Sequence, residues 1–228
     1  MKTNECYKSV VFDFDGVILN SNSLKADAYK YAVQDYGADY ADNFVCFHKK
    51  NGGMSRYEKF KYFLSEMAPD NNPNLTMETL LSRFSYFIEK KIDSCELVGG
   101  LDAIRMQYQS AKWLIVSGSD QAELRAYAKR KRIDKYFDGG IYGSPDDKRQ
   151  NVIKALDLGI IKFPAALIGD SKLDHRVAKE FNLDFIFVSK WTDMSDWKDY
   201  SIKNHLFVIK SLTNINFNQI FLEINSKS

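Results

Sequence analysis

Cysteine is scarce in this chain, and the three present, Cys6, Cys46 and Cys95, lie far apart with no CxxC pair. An odd and scattered set excludes a disulfide framework and a cysteine zinc site, and it fits a reducing cytosol. Long apolar runs are missing as well. Nothing approaches the roughly 18 consecutive apolar residues of a membrane span. The run near the N-terminus, Val10-Val11-Phe12, falls short of the about 7–15 apolar residues of a secretory leader. A cytoplasmic protein with no membrane partner is therefore expected. An excess of one charge is also absent. Thirty-two Lys and Arg against 30 Asp and Glu leave a formal net charge of +2, which gives no reason to expect nucleic acid as a partner. The basic run Lys129-Arg130-Lys131-Arg132 reads as a solvated helix end. The three histidines, His48, His175 and His205, are scattered. Each reads as a surface or hydrogen-bonded residue rather than a metal ligand. There is no internal repeat and no low-complexity segment.

What remains is an ordinary globular composition, with 45% hydrophobic and 27% charged residues. The 228 residues suffice for one substantial domain, or a core with a smaller insert. Four short apolar runs end in polar residues. Val10-Val11-Phe12 leads into Asp13, Trp113 to Val116 into Ser117, Ala165 to Ile168 into Gly169 and Asp170, and Phe185 to Val188 into Ser189. Such runs read as buried strands of a parallel sheet. Ligands of open α/β sheets bind beyond the carboxyl ends of the strands, which is where Asp13, Ser117 and Asp170 fall. About a hundred residues separate the first two strands, far more than the dozen or so that a crossover requires. Residues 23–36, 55–67 and 77–91 place their apolar side chains at helical spacing. Ser55 with Glu58 makes a capping-box pattern, and Thr76 is placed to cap the third helix. Pro69 to Pro73 reads as a loop between helices. Residues 19–95 are thus expected to form an all-helical insert that acts as a lid over the strand ends.

The candidate chemistry sits at those ends. In Asp13-Phe14-Asp15-Gly16 the two carboxylates are two residues apart, so on a strand they face the same way. One can serve as nucleophile and the other as acid or base, provided a cation relieves their repulsion. Gly16 suits a tight turn. Asp170-Ser171-Lys172-Leu173-Asp174 reads on its own as a capped helix start. Together with Asp13 and Asp15 it supplies an oxygen-rich cluster suited to Mg²⁺. Ser117-Gly118-Ser119 precedes a helix at 121–130 and makes an anion site or a plain N-cap. Lys148 follows the turn Gly143 to Asp147 and is placed to reach back toward the carboxylates.

These segments resemble, in order, the four motifs of the haloacid dehalogenase superfamily. They are FDFDGV at 12–17, IVSGS at 115–119, Lys148 after GSPDD, and IGDSKLD at 168–174. The resemblance implies a doubly wound Rossmann-like α/β core, residues 1–18 and 96–228, with the helical cap at 19–95 inserted. It also implies roles. Asp13 would attack phosphorus and become an aspartyl phosphate, and Asp15 would protonate the leaving oxygen and then activate water. Ser117 and Lys148 would hold phosphoryl oxygens. Asp13, the Asp15 carbonyl and Asp170 would bind Mg²⁺, supported by Asp174, Gly118 and Ser171.

Dehalogenases and phosphonatases of the superfamily lack the second aspartate, so Asp15 points to phosphate esters. The insert is similar to the caps of phosphoglycolate phosphatases and β-phosphoglucomutases. Its segment Asn51 to Arg56 resembles their substrate-reading loop, which makes Gly53, Ser55 and Arg56 candidate contacts to an anionic substrate. The leading expectation is a phosphatase of a small phosphorylated metabolite, sugar phosphates among them. A phosphosugar mutase and a non-catalytic binding module on the same scaffold stay open, as does the oligomeric state.

Overall fold

In a computed structural model the described residues are 6–69, 75–213 and 215–226. The loop expected at Pro69 to Pro73 lies outside them from Asp70 on. Among the described residues six strands form one sheet. They are β1 (Ser9–Phe12), β2 (Lys112–Asp120), β3 (Gly140–Ser144), β4 (Ala165–Gly169), β5 (Asp184–Val188) and β6 (Phe207–Ile209). Every neighbouring pair is parallel, in the order β3-β2-β1-β4-β5-β6. This is the order of a doubly wound sheet, whose switch point falls between β1 and β4.

β1, β2, β4 and β5 carry continuous apolar runs because both faces of the sheet are covered. Val10, Phe12, Ile115, Ile168 and Ile186 point to one buried cluster, and Val11, Leu114, Leu167 and Phe187 point to the other. Period-two alternation between two dry layers is what turns a strand into a continuous hydrophobic run. Helices α5 (Leu101–Gln107), α6 (Gln121–Arg130) and α10 (Phe217–Asn225) cover the first face. Helices α7 (Lys148–Asp157) and α8 (Lys172–Glu180) cover the second, with α9 (Trp197–Lys203) adding Trp197.

Between β1 and β2 lie α1 (Asn22–Ala32), α2 (Ala38–Lys50), α3 (Arg56–Tyr62) and α4 (Met77–Lys91). They share a third buried cluster centred on Tyr29, whose ring lies 5.4 Å from Phe44, 5.3 Å from Phe60 and 4.6 Å from Phe84. The helix expected at 23–36 stops at Ala32 and gives way to a 3₁₀ turn, Gln34–Tyr36. The one expected at 55–67 is α3 followed by a single wide π turn, Phe63–Met67. Ser55 caps α3 through the capping box with Glu58, and Thr76 caps α4.

Candidate active site

Asp13 immediately follows β1, where its backbone N–H still donates to Ile168 of β4 at 2.9 Å. It is held at the switch point and is 3% exposed. Beneath it, Lys148 opens α7 with its ammonium 2.9 Å from Asp13 Oδ2 and 2.5 Å from Asp174 Oδ1. The α7 start is fixed by a capping box between Asp147 and Gln150, which directs the stem of Lys148 inward. Asp170 follows β4, and Ser171 caps α8. The Ser171 hydroxyl donates to Asp174 Oδ2 at 2.5 Å and accepts from the Asp174 N–H at 3.2 Å. One helical turn therefore sets both Asp170 and Asp174 against Asp13. Gly16 has φ +79°, and a Cβ there would run into the Asp170 carboxylate, so the turn needs glycine twice over.

Asp13, Asp170 and Asp174 each bring a carboxylate oxygen within 4.8 Å of the others. Three buried acids face one buried ammonium, an excess of negative charge. Burial pushes Asp13 above the usual carboxylate range. Lys148 pulls it back, while Asp174 and Asp15 add to the rise. Asp170 is raised for the same reasons, burial first and then the charges of Asp13 and Asp174. On Lys148 burial works against the ammonium, but Asp13 and Asp174 outweigh it and hold its pKa above the ordinary value. A hard cation on this all-oxygen set would remove the strain of the surplus charge. The donor set, three buried carboxylates, fits a hard divalent cation.

Asp15 turns the other way. Its carboxylate pairs with Lys25 of α1 and accepts from Ser21 at 2.5 Å, Ser119 at 2.8 Å and Ser117 at 3.4 Å. Burial opposes its ionisation, but the Lys25 charge prevails and keeps the pKa low. Ser117 ends the buried run of β2, though the strand itself continues to Asp120, which caps α6. A Cβ on Gly118 would meet the carbonyl of Gly53, so the insert's loop lies directly against this segment.

A cavity of about 720 Å³ opens above these groups, lined among others by Asp13, Asp15, Ser117, Asp170, Gly53 and Arg56. Lys148 and Asp174 lie behind its floor. Two of the expected insert contacts behave differently from expectation. The Ser55 hydroxyl is engaged with Glu58, accepting from its N–H at 3.2 Å and donating to Oε2 at 3.0 Å. The α3 start consumes it. Arg56 reaches the cavity wall but is 5% exposed, and its guanidinium forks onto Glu123 of α6 at 2.8 and 2.5 Å and onto Ser85 at 2.8 Å. A guanidinium satisfied by a carboxylate in this bidentate manner is not open to a second anion.

Several cavity residues escaped the sequence reading. Asn22 bridges Asp170 Oδ2 at 2.9 Å and the Trp191 carbonyl at 2.8 Å. Lys25 holds Asp15. Lys59, 2% exposed, donates to His48 Nδ1 at 2.7 Å. The signal for Lys59 was its position three residues after Arg56, on the inward face of α3 beside Phe60; lysine reads by default as solvated.

Residues 10–188 match the family described as haloacid dehalogenase-like hydrolase. The "Phosphorylated carbohydrates phosphatase" of Thermotoga maritima is 21% identical over 186 residues, covering 79% of this chain and 84% of that protein. A predicted phosphatase from Clostridium acetobutylicum superposes with a TM-score of 0.72 at 17% identity, over 96% of this chain and 100% of that one. A β-phosphoglucomutase from Clostridium difficile does so with a TM-score of 0.72 at 15% identity, over 97% and 98%. The chain belongs to the haloacid dehalogenase-like hydrolases. No helix among the described residues is long and apolar enough to cross a membrane.

Proposed function

We propose that this enzyme hydrolyses a small phosphorylated metabolite, a phosphorylated carbohydrate in the first instance, through an aspartyl phosphate on Asp13. The observation that carries the reading is a buried carboxylate at the cavity floor, 2.9 Å from a buried lysine and within reach of two more carboxylates. Asp13 attacks phosphorus and the phosphorus–oxygen bond to the alcohol breaks. Asp15 delivers the proton to the departing oxygen, then takes one from the water that attacks the acyl phosphate. The pairing with Lys25 favours ionised Asp15, the form needed in the second step, so Lys25 has to give way before the first. Ser117 and Lys148 hold phosphoryl oxygens, with Gly118 leaving room for the close approach. Asp13, the Asp15 carbonyl and Asp170 would hold Mg²⁺, steadied by Asp174 and Ser171. When bound, the ion neutralises charge on the carboxylates and the phosphoryl group.

Residues 1–18 and 96–228 form the core in this reading, and 19–95 form a cap that shields the acyl phosphate from bulk water. The likeness to a β-phosphoglucomutase supports one competing reading, in which the phosphoryl group returns to a sugar instead of passing to water. A library of phosphate esters, assayed in parallel for released phosphate and for isomerised sugar phosphate, separates the two. Phosphate release is expected, reversibly abolished by EDTA and reduced at least about a thousandfold in Asp13→Asn. Isomerisation without net release would establish the mutase, and activity retained in Asp13→Asn would sink both.

A further inference from the structure

The cavity wall contributed by the insert carries buried charge that the chemistry above does not use. Lys25 and Arg56 are each neutralised there, by Asp15 and by Glu123. Lys49, Lys50 and Arg176 line the outer part and are exposed to water. Lys59 is neither. It is 2% exposed, lines the cavity, and has no ion pair among the described residues. Its Nζ donates to His48 Nδ1 at 2.7 Å and lies 5.3 Å from the centre of the Tyr29 ring. His48 is itself buried, and its Nε2 has no partner among the described residues. A buried ammonium without a counter-ion is among the least favourable arrangements for a charge. An apolar residue would fit this face of α3, as Phe60 does next to it. Ammonium carries three donors, and the only one with a partner among the described residues goes to His48.

We propose that Lys59, seated on His48, receives a second anionic group of the substrate, so that the preferred ester carries a carboxylate or another phosphate away from the transferred phosphoryl group. This deepens the phosphatase reading and rests on it. It also moves the reading of the far end of the substrate from Arg56, whose fork is filled by Glu123, to the one buried cation left open among the described residues. Asp193 lines the same cavity without pairing to Lys59, and it would exclude substrates whose second charge is delivered to its side.

The test uses ligands that cannot be hydrolysed. Methylphosphonate offers the core one anionic group. Phosphonoacetate, 3-phosphonopropionate and 4-phosphonobutyrate add a carboxylate at increasing reach, and the matching alkane bisphosphonates add a second phosphonate. Dissociation constants are measured by calorimetry on the full chain with Mg²⁺. At least one two-headed ligand is expected to bind about ten- to a hundredfold more tightly than methylphosphonate, the yield of a charge-assisted hydrogen bond. The series in which that gap appears tells carboxylate from phosphate. Lys59→Met should erase the gap, keep methylphosphonate affinity within about twofold, and raise Tm because an unpaired buried charge is gone. Lys59→Gln is a second neutral variant with the same expectation, and Lys59→Arg should restore part of the gap. No gap at any length in the wild type, or a gap that survives in Lys59→Met, overturns the proposal. Failure of the phosphatase reading looks different, since phosphate release is then absent while the binding gap persists.

Discussion

Burial acts in opposite senses on Asp13 and Lys59, and the difference reaches solution as pH dependence. For Lys59, burial comes first and the Lys25 charge second, partly offset by Asp15 and Asp193; together they bring the ammonium down from 10.5 to about 7. His48 from α2 stays neutral, since burial and then the Lys59 charge hold its pKa well below the ordinary value. The other groups around Lys59 are Tyr29 on α1, Arg56 on α3 and Lys148 below. A folded pKa beneath the unfolded one means that the unfolded chain holds more protons between about 7 and 10.5, so this residue's penalty on stability is full below pH 7 and fades as pH rises. An anion at Lys59 favours the ammonium and reverses the shift. Binding of a two-headed phosphonate at pH 8 should therefore take up to about one more proton in the wild type than in Lys59→Met, with no difference near pH 5.5. Calorimetry in buffers of different ionisation enthalpy reads this directly. Equal uptake by both proteins at pH 8 would place the titrating group elsewhere.

At the scale of elements, legibility followed burial and capping. β1, β4 and β5 and the apolar part of β2 could be read because both faces are dry, which forces three or four apolar residues in a row. β3, with two glycines in Gly140–Ser144, carries no such run and was missed; β6 was missed although Leu206 to Ile209 is an apolar run, a three-residue strand at the sheet edge with Val208 exposed. α2 was missed although Ala41, Phe44 and His48 mark its buried face; its inward histidine does not register as apolar. Capping signals were reliable because they are local: Ser55 with Glu58 and Ser171 with Asp174 both close. The second of these serves structure and site together, which makes it testable. Ser171→Ala removes the α8 cap, a loss of about 1 kcal/mol, and should lower Tm by roughly 2–4 °C for a chain of this size. It also removes the donor on Asp174 Oδ2, so phosphate release should fall more than the stability loss explains at a temperature where the variant is fully folded. Unchanged turnover alongside the lower Tm would confine Ser171 to capping.

Across the whole molecule, the core site was legible because its four segments converge on strand ends, whereas the insert's contacts depend on how two bodies of side chains meet. The Gly53 carbonyl against Gly118 and the Arg56 fork on Glu123 are both such meetings, and no local pattern contains the partner. Arg56 is 5% exposed and Glu123 39%, and Ser85 of α4 bonds both, donating to Glu123 Oε1 at 2.7 Å. The network ties α3 and α4 of the insert to α6 of the core, which makes it a latch between insert and core. A latch and a substrate reader predict different kinetics. If Arg56 read the substrate, Arg56→Ala would reduce kcat/KM for polar phosphates and spare a plain aryl phosphate. As a latch, it should lower kcat/KM for both by a similar factor, because misplacing the insert affects the common chemistry. Glu123→Ala, which leaves a buried guanidinium unpaired, should do the same and should speed hydrogen exchange in α3 and α4. The double variant should lose little beyond either single one, with a coupling of about 0.5–3 kcal/mol in the thermal or denaturant cycle. A substrate-selective loss in Arg56→Ala that is independent of Glu123 would return Arg56 to the substrate and remove the latch.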